Sequence, residues 1–330
     1  MSAGLKDIFE QRKGKASDKW EHYFRVYEPL FATYRFQPIT LLEIGVQNGG
    51  SLEVWAQYFE NAKNIIGLDI DPKVGDLQYE DPRIRAVVSD GTLSQAVEDV
   101  GCEFFPADIV IDDGSHYNDH VIKSFLLFFP LLADGGVYVV EDTHTSYFAE
   151  HGGHLFCIGS MMTFFQRLSD IINREHWDGA LSVEDALHPL LDMHSIPAKE
   201  FDWIDHIHSI AFTNSMIIIE KRAAGITSLG QRCASGTIET VVEGLTANAG
   251  QPYVRHAQAH PSYPSTTPET DLAQLNSDLA VAKAALEQTD SDLVETRAEL
   301  VETRAELARV CNSLSWRLTK PFRRIFGKGS

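Results

Sequence analysis

Five short apolar segments, separated by stretches of helix length, constrain most strongly what this chain can fold into. They lie between about Thr40 and Asp142 and read TLLEIGV, NIIGLDI, RIRAVVS, ADIVIDD and GGVYVVED. Each is rich in Val and Ile and almost continuously apolar, which indicates strands buried on both faces of a parallel sheet. Two later runs, SIAFTNS and MIIIEKR, are expected to close the sheet near Arg222, with a hairpin as one arrangement. The pattern predicts a doubly wound, mostly parallel seven-stranded α/β sheet, Rossmann-like in type.

Composition excludes several classes of protein. Of 330 residues, 44% are hydrophobic, so a large core is expected, yet no apolar run approaches the roughly 18–20 residues that span a bilayer. The first residues, MSAGLKDIFEQRKGK, carry charges without a following apolar region and do not resemble a secretory signal. The four cysteines are far apart and form no CxxC pair, which favours reduced thiols and a cytoplasmic location.

Charge is unevenly distributed along the chain. The net charge of −19 argues against nucleic-acid binding. The last 18 residues, SLSWRLTKPFRRIFGKGS, nevertheless contain five basic residues and no acid. We therefore expect the two ends of the chain to contact different partners.

Composition also predicts five segments. These are an N-terminal lid or helical segment (1–35), an α/β domain (36–222), a linker rich in small residues and proline (223–270), a coiled coil (271–316) and a basic amphipathic tail (317–330).

The coiled coil is predicted from a strict heptad. Leucines recur every seven residues at 272, 279, 286, 293, 300, 307 and 314, and VETRAEL occurs twice in tandem. With leucine at position a, acidic g residues face basic e residues of a parallel partner. The pattern favours a homo-oligomer held by a parallel coiled coil; the alternative is one amphipathic helix packed on its own domain.

The tail combines aromatic and basic side chains. Trp316, Phe322 and Phe326 lie among four cations in WRLTKPFRRIF. Such a segment can lie in a membrane interface, and several copies gathered by the coiled coil would bind more tightly. The hypothesis is attachment to the inner membrane face or to a polysaccharide-assembly partner; the alternative is a tail that only caps the coiled coil.

The turn after the first strand indicates a nucleoside site. Its sequence, EIGVQNGGS, has Asn48 where G-x-G-x-x-G would need a glycine, so a ligand without phosphate, such as S-adenosylmethionine, fits better than a dinucleotide. Acids ending the next two strands would hold ribose and adenine; an ordinary strand–helix turn is the alternative. The predicted cofactor-binding residues are Glu43, Gly45, Val46, Gln47, Asn48, Gly49, Ser51, Asp69, Asp90 and Asp112.

Acidic residues also end the fourth and fifth strands. Asp113, in IDDGSH, and Glu141 and Asp142, in VVEDTH, are expected to converge beyond the sheet edge. Carboxylates crowded in one crevice repel each other unless a cation joins them, and oxygen ligands suit Mg²⁺ or Mn²⁺. His116 would lie beside the ion as general base. For each acid alone, the alternative is a solvated strand end.

The segment SDKWEHYFRVYEPLF (17–31) is dense in aromatic residues. One hypothesis makes it a lid over the acceptor, with Lys19, Trp20 and Tyr23 nearest the site; the other makes it a helix that covers the sheet. His144 and Tyr147 are further candidate substrate contacts, although a structural role is also open for His144 and for His120.

Residues 15–222 resemble the metal-dependent sugar O-methyltransferases typified by macrolide-glycoside enzymes, within the class I S-adenosylmethionine-dependent fold. The resemblance is carried by SDKW, LLEIGVQNGGSLEVW, GLDIDP, IDDGSH and VYVVEDTHTSY. It implies metal binding by Asp113, Glu141 and Asp142, with His116 as base; catechol O-methyltransferases are similar in arrangement. One departure is Asp90-Gly91, where the family usually has Asp-Gln to contact adenine. The tail SLSWRLTKPFRRIFG resembles tails of bacterial polysaccharide-assembly enzymes.

These observations predict an O-methyltransferase that uses S-adenosylmethionine and Mg²⁺ or Mn²⁺ on a sugar hydroxyl. The expected acceptor is a bacterial cell-surface polysaccharide or its lipid-linked precursor. Two alternatives stand beside it: a small-molecule enzyme acting on a macrolide glycoside or catechol, and a non-catalytic scaffold that binds a nucleoside.

Overall fold

The structure, a computed structural model, describes residues 3–177, 181–197 and 201–254, together with Thr303 and Arg309. Residues Met1–Gln258 form one compact unit, which contains every element described below. Apart from Thr303 and Arg309, the predicted coiled coil and basic tail lie outside the described residues. The oligomer, membrane and assembly-partner predictions that depend on them therefore stay predictions.

A seven-stranded sheet forms the centre of this unit. Its strands are β1 (Thr40–Ile44), β2 (Asn64–Asp69), β3 (Ile84–Val88), β4 (Ala107–Asp112), β5 (Leu132–Val140), β6 (Ile207–Thr213) and β7 (Met216–Lys221). They lie in the order β3-β2-β1-β4-β5-β7-β6. The first five are parallel, and β7 is antiparallel to both β5 and β6. The predicted seven-stranded, mostly parallel sheet is confirmed.

The closing hairpin has a specific arrangement. Strands β6 and β7 are joined through Asn214 and Ser215, and Ser215 has a left-handed φ of 67°. The second strand of the hairpin, not the first, pairs with β5. This places the Ser215 turn at the same edge of the sheet as the end of β5, because the antiparallel β7 begins where β5 ends.

Burial follows position in the sheet. All five residues of β1 are buried, as expected for a central strand with helices on both sides. In contrast, β3 is only partly buried, and Arg85 and Val88 are exposed. The apolar run RIRAVVS suggested burial on both faces; because β3 lies at the edge of the sheet, each of its faces has an exposed residue.

Helices cover both faces of the sheet. They are α1 (Leu5–Gln11), α2 (Glu21–Phe31), α3 (Gly50–Tyr58), α4 (Gln95–Val100), α5 (Asn118–Phe128), α6 (Met161–Ile172) and α7 (Val183–Met193). Adjacent strand residues enter opposite layers: Leu41 packs with α1, α2 and α3, whereas Leu42 packs with α4 to α7. The resulting pair of hydrophobic layers fixes the strand ends, which carry the candidate site.

Helix α2 closes one face of the sheet. Its apolar positions recur at helical spacing, and Tyr23, Phe24, Tyr27 and Phe31 are all buried. Tyr27 and Phe31 stack on each other and pack against Trp55 of α3. The N-terminal segment therefore packs on the sheet, and two of its tyrosines have a further role described below.

After β7 the described chain has little regular structure. Residues 223–254 contain one short 3₁₀ turn, Thr246–Asn248, and one isolated bridge between Gln231 and Pro252. No helix in the described part of the chain is both long and apolar enough to cross a membrane.

Candidate active site

The ends of β1, β4 and β5 bring the candidate residues to one edge of the sheet. Ile44 is in register with Asp112, and Asp112 with Val140. The backbone amide of Asp113 donates to Ile44, and that of Glu141 donates to Asp112. The side chains that follow β4 and β5 are therefore neighbours, as expected for parallel strands.

Gly45 allows the turn after β1 to pass close to the end of β4. Its φ is 94°, and a Cβ atom at this position would lie 2.0 Å from the carbonyl oxygen of Asp113. Any side chain would collide with that backbone, so the glycine is required by the close approach. Gly49, which precedes helix α3, has a left-handed φ of 83° that favours glycine.

Two predicted nucleoside-binding acids lie along the same edge. One carboxylate oxygen of Asp69 accepts hydrogen bonds from the amides of Val46 and Gln47, at 2.8 and 3.1 Å. Asp69 thus orders the glycine turn, and its oxygens still have lone pairs for a ligand. The Asp90 carboxylate accepts from both the amide and the hydroxyl of Thr92.

Asp112 is buried at the end of β4. Its carboxyl group lies near the Gly114 amide and the Tyr138 hydroxyl, both at 3.3 Å. Burial raises its pKa to about 7. The neighbouring Asp113 is partly exposed and points into the site instead.

Asp113, His116 and Asp142 form what we call the strand-end cluster. One possible ligand atom from each lies within 4.8 Å of the others. His116 Nε2 is 3.9 Å from Asp113 Oδ1 and 3.7 Å from Asp142 Oδ2. The His116 Nδ1 atom is buried and has no hydrogen-bond partner, and burial lowers the pKa of the imidazole. The ring is therefore neutral near pH 7, with a nitrogen able to accept a proton or bind a cation.

Glu141, the third predicted metal ligand, is not part of that cluster. Its Oε1 atom accepts hydrogen bonds from the Tyr27 hydroxyl and from the ammonium of Lys19, the latter at 2.8 Å. Lys19 also pairs with Asp113 and lies 3.8 Å from Glu43. Burial and the nearby Asp113 raise the pKa of Glu141. Although burial alone would lower the pKa of Lys19, the carboxylates Glu141, Asp113 and Glu43 raise it well above its usual value, so the ammonium is charged.

Asp142 is held by a second tyrosine of α2. The Tyr23 hydroxyl donates to Asp142 Oδ1 and accepts from the Asp142 amide at 3.0 Å. The same hydroxyl contacts Ser215 Oγ at 2.9 Å, and Ser215 Oγ also contacts His144. Asp142 has a left-handed φ of 52°, a conformation that these contacts stabilise.

These groups line one cavity of about 810 Å³, a size suited to a small-molecule ligand. Most predicted site residues line it: Lys19, Trp20, Tyr23, Gly45, Val46, Gln47, Ser51, Asp69, Asp90, Asp112, Asp113, His116, Glu141, Asp142 and His144. Glu43, Asn48, Gly49 and Tyr147 do not. Glu43 is fully buried beneath the site and accepts a hydrogen bond from Ser51 at 2.6 Å, and Tyr147 is partly exposed elsewhere.

Aromatic rings form a row whose two ends line the cavity, and we call this row the aromatic rim. Consecutive rings are 5.2 to 6.3 Å apart, in the order Trp20, His144, Phe148, His151, Tyr117 and His120. Trp20 is 61% exposed although it lines the cavity. An exposed tryptophan beside a polar cavity offers a flat apolar face to a ligand.

Sequence reasoning missed two residues that shape the site. Tyr27 was part of an aromatic helix pattern, and nothing in the local sequence links it to Glu141. Ser215 lies in a hairpin turn 73 residues after Asp142 in the chain, and only the pairing of β7 with β5 brings it there. The only sequence signal for Tyr27 was its spacing of one helical turn from Tyr23, which places both tyrosines on the same face of α2.

The donor set fits a divalent cation. One oxygen from each of two carboxylates and one ring nitrogen of His116 lie within 4.8 Å of one another. Oxygen donors with room for further oxygen ligands suit Mg²⁺ and Mn²⁺. The glycine turn, the start of α3 and the acids after β2 and β3 fit a nucleoside on the other side of the same cavity.

Comparison with known proteins agrees with this geometry. Residues 42–143 match a family described as a methyltransferase domain. A rhamnosyl-tetracenomycin 2'-O-methyltransferase of Streptomyces olivaceus is 39% identical over 164 residues, 47% of this chain and 42% of the relative. Mycinamicin VI 2''-O-methyltransferase of Micromonospora griseorubida is 36% identical over 165 residues, 47% of this chain and 40% of the relative. The chain thus spans less than half the length of these two relatives.

Solved structures give the same result. The MycE methyltransferase of the mycinamycin biosynthetic pathway, in complex with Mg and SAH, has a TM-score of 0.56 at 27% identity. The match covers 71% of this chain and 59% of MycE. A second MycE structure, which also holds mycinamycin VI, has a TM-score of 0.54, with 67% of this chain and 54% of MycE covered. Residues 42–143 therefore resemble a methyltransferase domain, and the fold around them is similar to that of the MycE methyltransferase, a class I S-adenosylmethionine-dependent fold.

Proposed function

We propose that this protein transfers a methyl group from S-adenosylmethionine to a sugar hydroxyl, with the help of a divalent metal ion. One observation carries the proposal: the strand-end cluster of Asp113, His116 and Asp142 lies in the same cavity as the glycine turn of β1. A methyl donor and a cation site side by side are what metal-assisted O-methylation needs. The tetracenomycin relative is named as a 2'-O-methyltransferase of a rhamnosyl tetracenomycin, which supports the same chemistry here.

The donor side uses the turn after β1 and the acids after β2 and β3. We assign the ribose hydroxyls of S-adenosylmethionine to Asp69 and its adenine to the region of Asp90. Gly45 keeps the turn close to β4, so the sulfonium end of the donor would face Asp113. S-adenosylmethionine supplies the methyl group.

The acceptor side uses the strand-end cluster. Asp113 and Asp142 would hold the metal ion, which when bound acts as a Lewis acid and makes a nearby hydroxyl more acidic. We assign His116 as the general base, since its ring is neutral and its Nε2 faces both carboxylates. Glu141, paired with Lys19 and Tyr27, would keep the charge of the site balanced and hold the end of β5.

The aromatic rim supports a sugar as acceptor. Exposed rings such as Trp20 can stack on the apolar face of a sugar while the metal and His116 engage its hydroxyls. The named relatives are O-methyltransferases of a rhamnosyl tetracenomycin and of mycinamicin VI, so a glycosylated small molecule is favoured over the cell-surface polysaccharide that the tail suggested. A catechol would use the same cation but has no sugar to stack, and a nucleoside-binding scaffold would leave His116 without a role.

The experiment is an assay of the full chain with S-adenosylmethionine carrying a labelled methyl group. Acceptors are a macrolide glycoside with free neighbouring hydroxyls, a rhamnose-containing polysaccharide and a catechol, each with Mg²⁺ or with EDTA. We expect label on a sugar oxygen of the glycoside, located by mass spectrometry, and loss of transfer in EDTA. Equal transfer in EDTA would overturn the metal role, and transfer only to the catechol would overturn the sugar assignment.

A further inference from the structure

Lys19 is the single lysine or arginine among the described residues that line the cavity. Eight carboxylate residues line the same cavity, and four of them lie at or beside the strand-end cluster: Asp112, Asp113, Glu141 and Asp142. The Lys19 side chain is only 5% exposed. A buried lysine needs partners for its charge, and here three carboxylates surround it.

The pairing divides the carboxylates into two groups. The ammonium contacts Glu141 Oε1 at 2.8 Å and lies 3.8 Å from Glu43 Oε1, and both of these side chains are fully buried. Asp142 and His116 are not among the residues that pair with Lys19. The buried acids therefore have a resident cation, whereas Asp142 has no lysine or arginine partner among the described residues.

Asp113 belongs to both groups. Its Oδ2 atom pairs with Lys19, while its Oδ1 atom faces His116 Nε2 at 3.9 Å. One carboxylate thus separates an ammonium on its inner side from a candidate metal position on its outer side. A positive charge this close to a ligand carboxylate must oppose the binding of a second cation.

Helix α2 keeps the ammonium in this position. Lys19 immediately precedes Trp20, the N-cap of α2, and Tyr27 of the same helix donates to the same oxygen of Glu141. Because Tyr27 and Phe31 are buried against α3, the start of the helix cannot move without breaking that packing.

We propose that Lys19 is a built-in competitor of the divalent metal: it neutralises Glu141 and Glu43, shares Asp113 with the ion, and so confines the ion to the side facing His116 and Asp142 and weakens its binding. The inference rests on the metal site of the proposed function. Its consequence is a site that holds its metal loosely until an acceptor adds oxygen ligands. Lys19 is a positioning residue, which does not itself act on the methyl group.

The test is Mn²⁺ binding to the full chain without substrate, measured by electron paramagnetic resonance of free Mn²⁺. Lys19→Met removes the charge and keeps the length of the side chain. We expect Mn²⁺ to bind roughly tenfold more tightly, as removal of a unit charge at short range implies. Lys19→Arg, which keeps the charge, should bind Mn²⁺ like the wild type.

Lys15→Met is the matched control. Lys15 lies four residues earlier, is also partly buried and pairs with Glu53, outside the cavity. Lys15→Met and Lys19→Met each remove one positive charge, so an effect of overall charge would appear in both variants. We expect no change in Mn²⁺ affinity for Lys15→Met.

Thermal unfolding separates this role from a purely structural one. A structural lysine would lower the melting temperature of Lys19→Met and leave Mn²⁺ affinity unchanged or weaker; either affinity result overturns the proposal. Tighter Mn²⁺ binding in Lys19→Met, but not in Lys19→Arg or Lys15→Met, supports the proposal. This holds also if the wild type binds Mn²⁺ too weakly to measure. If neither protein binds Mn²⁺, the metal site of the proposed function and this inference both fail.

Discussion

His116 combines a strained backbone with an unpartnered ring nitrogen. Its φ is 59°, in the left-handed region that residues other than glycine seldom adopt. Thr145 stabilises this conformation, because its hydroxyl donates to the His116 carbonyl at 3.0 Å. Strain of this kind is kept at functional sites more often than elsewhere. The conformation turns Nε2 toward both cluster carboxylates.

We expect His116→Ala to reduce turnover by roughly 10²–10⁴, the range typical of a lost general base. Binding of S-adenosylmethionine should be unchanged, because the donor side of the cavity does not involve this ring. Both are measured by steady-state kinetics and calorimetric titration. His22→Ala is the control, since His22 bonds Thr213 and does not line the cavity. Lost Mn²⁺ affinity in His116→Ala would make His116 a ligand instead of the base.

Asp112 should make stability depend on pH. Its pKa is about 7 in the folded protein, above its ordinary value of 3.8, because burial disfavours the charged carboxylate. The folded state therefore keeps a proton that the unfolded state releases between these values. Stability from this group is fully present below pH 3.8 and is lost as pH rises toward and through 7.

Asp112→Asn removes this dependence and can retain polar contacts with the two groups that donate to Asp112, the Gly114 amide and the Tyr138 hydroxyl. The free energy of unfolding of the wild type should fall relative to the variant by up to about 1.4 kcal/mol per pH unit between these pKa values. Urea unfolding of both proteins in EDTA, at several pH values from about 4.5 to 7.5, measures the difference. A difference that stays constant over this range would contradict the assignment.

Helix α2 acts as one element on two strand ends. Tyr23 and Tyr27 are one turn apart on its buried face, and their hydroxyls reach Asp142 and Glu141 respectively. Asp142 belongs to the strand-end cluster, whereas Glu141 does not. The same helix surface therefore positions a cluster residue and a buried carboxylate, and the two tyrosines can be tested against each other.

Tyr23→Phe should weaken Mn²⁺ binding by roughly threefold to tenfold and lower the free energy of unfolding by about 1–3 kcal/mol, because Asp142 loses its partner. Tyr27→Phe is the matched variant on the same helix face. It should lower stability similarly and leave Mn²⁺ affinity unchanged. Equal Mn²⁺ affinities for the two variants would show that Asp142 does not depend on Tyr23.

The compact unit holds the whole cavity. Every lining residue lies between Ala16 and His144, and the sheet that positions them ends at Lys221. A chain that stops at Gln258 should therefore bind S-adenosylmethionine with the affinity of the full chain and retain transfer to a glycoside. Calorimetric titration and the transfer assay of both chains test this. Loss of donor binding in the shorter, folded chain would mean that residues beyond 258 contribute to the site.

Local sequence determined the strands and the positions of the acids. Continuous apolar runs predict buried parallel strands because burial on both faces leaves no polar alternation, and the carboxyl ends of such strands meet at one edge. Asp113 and Asp142 were therefore predictable as neighbours, and the glycine turn after β1 was predictable from EIGVQNGGS. The exposure of Arg85 and Val88 in β3 could not be predicted from the run RIRAVVS. It results from the position of β3 at the edge of the sheet.

Tertiary structure alone decided which carboxylate has which partner. Glu141 and Asp142 are adjacent in sequence, yet successive residues after a strand point to different sides, so one meets Lys19 and Tyr27 and the other meets Tyr23 and His116. Lys19 and Ser215 reach the site from opposite ends of the domain through the packing of α2 and the pairing of β7 with β5. Such contacts depend on long-range packing and charge balance in a buried space, which local sequence patterns do not specify.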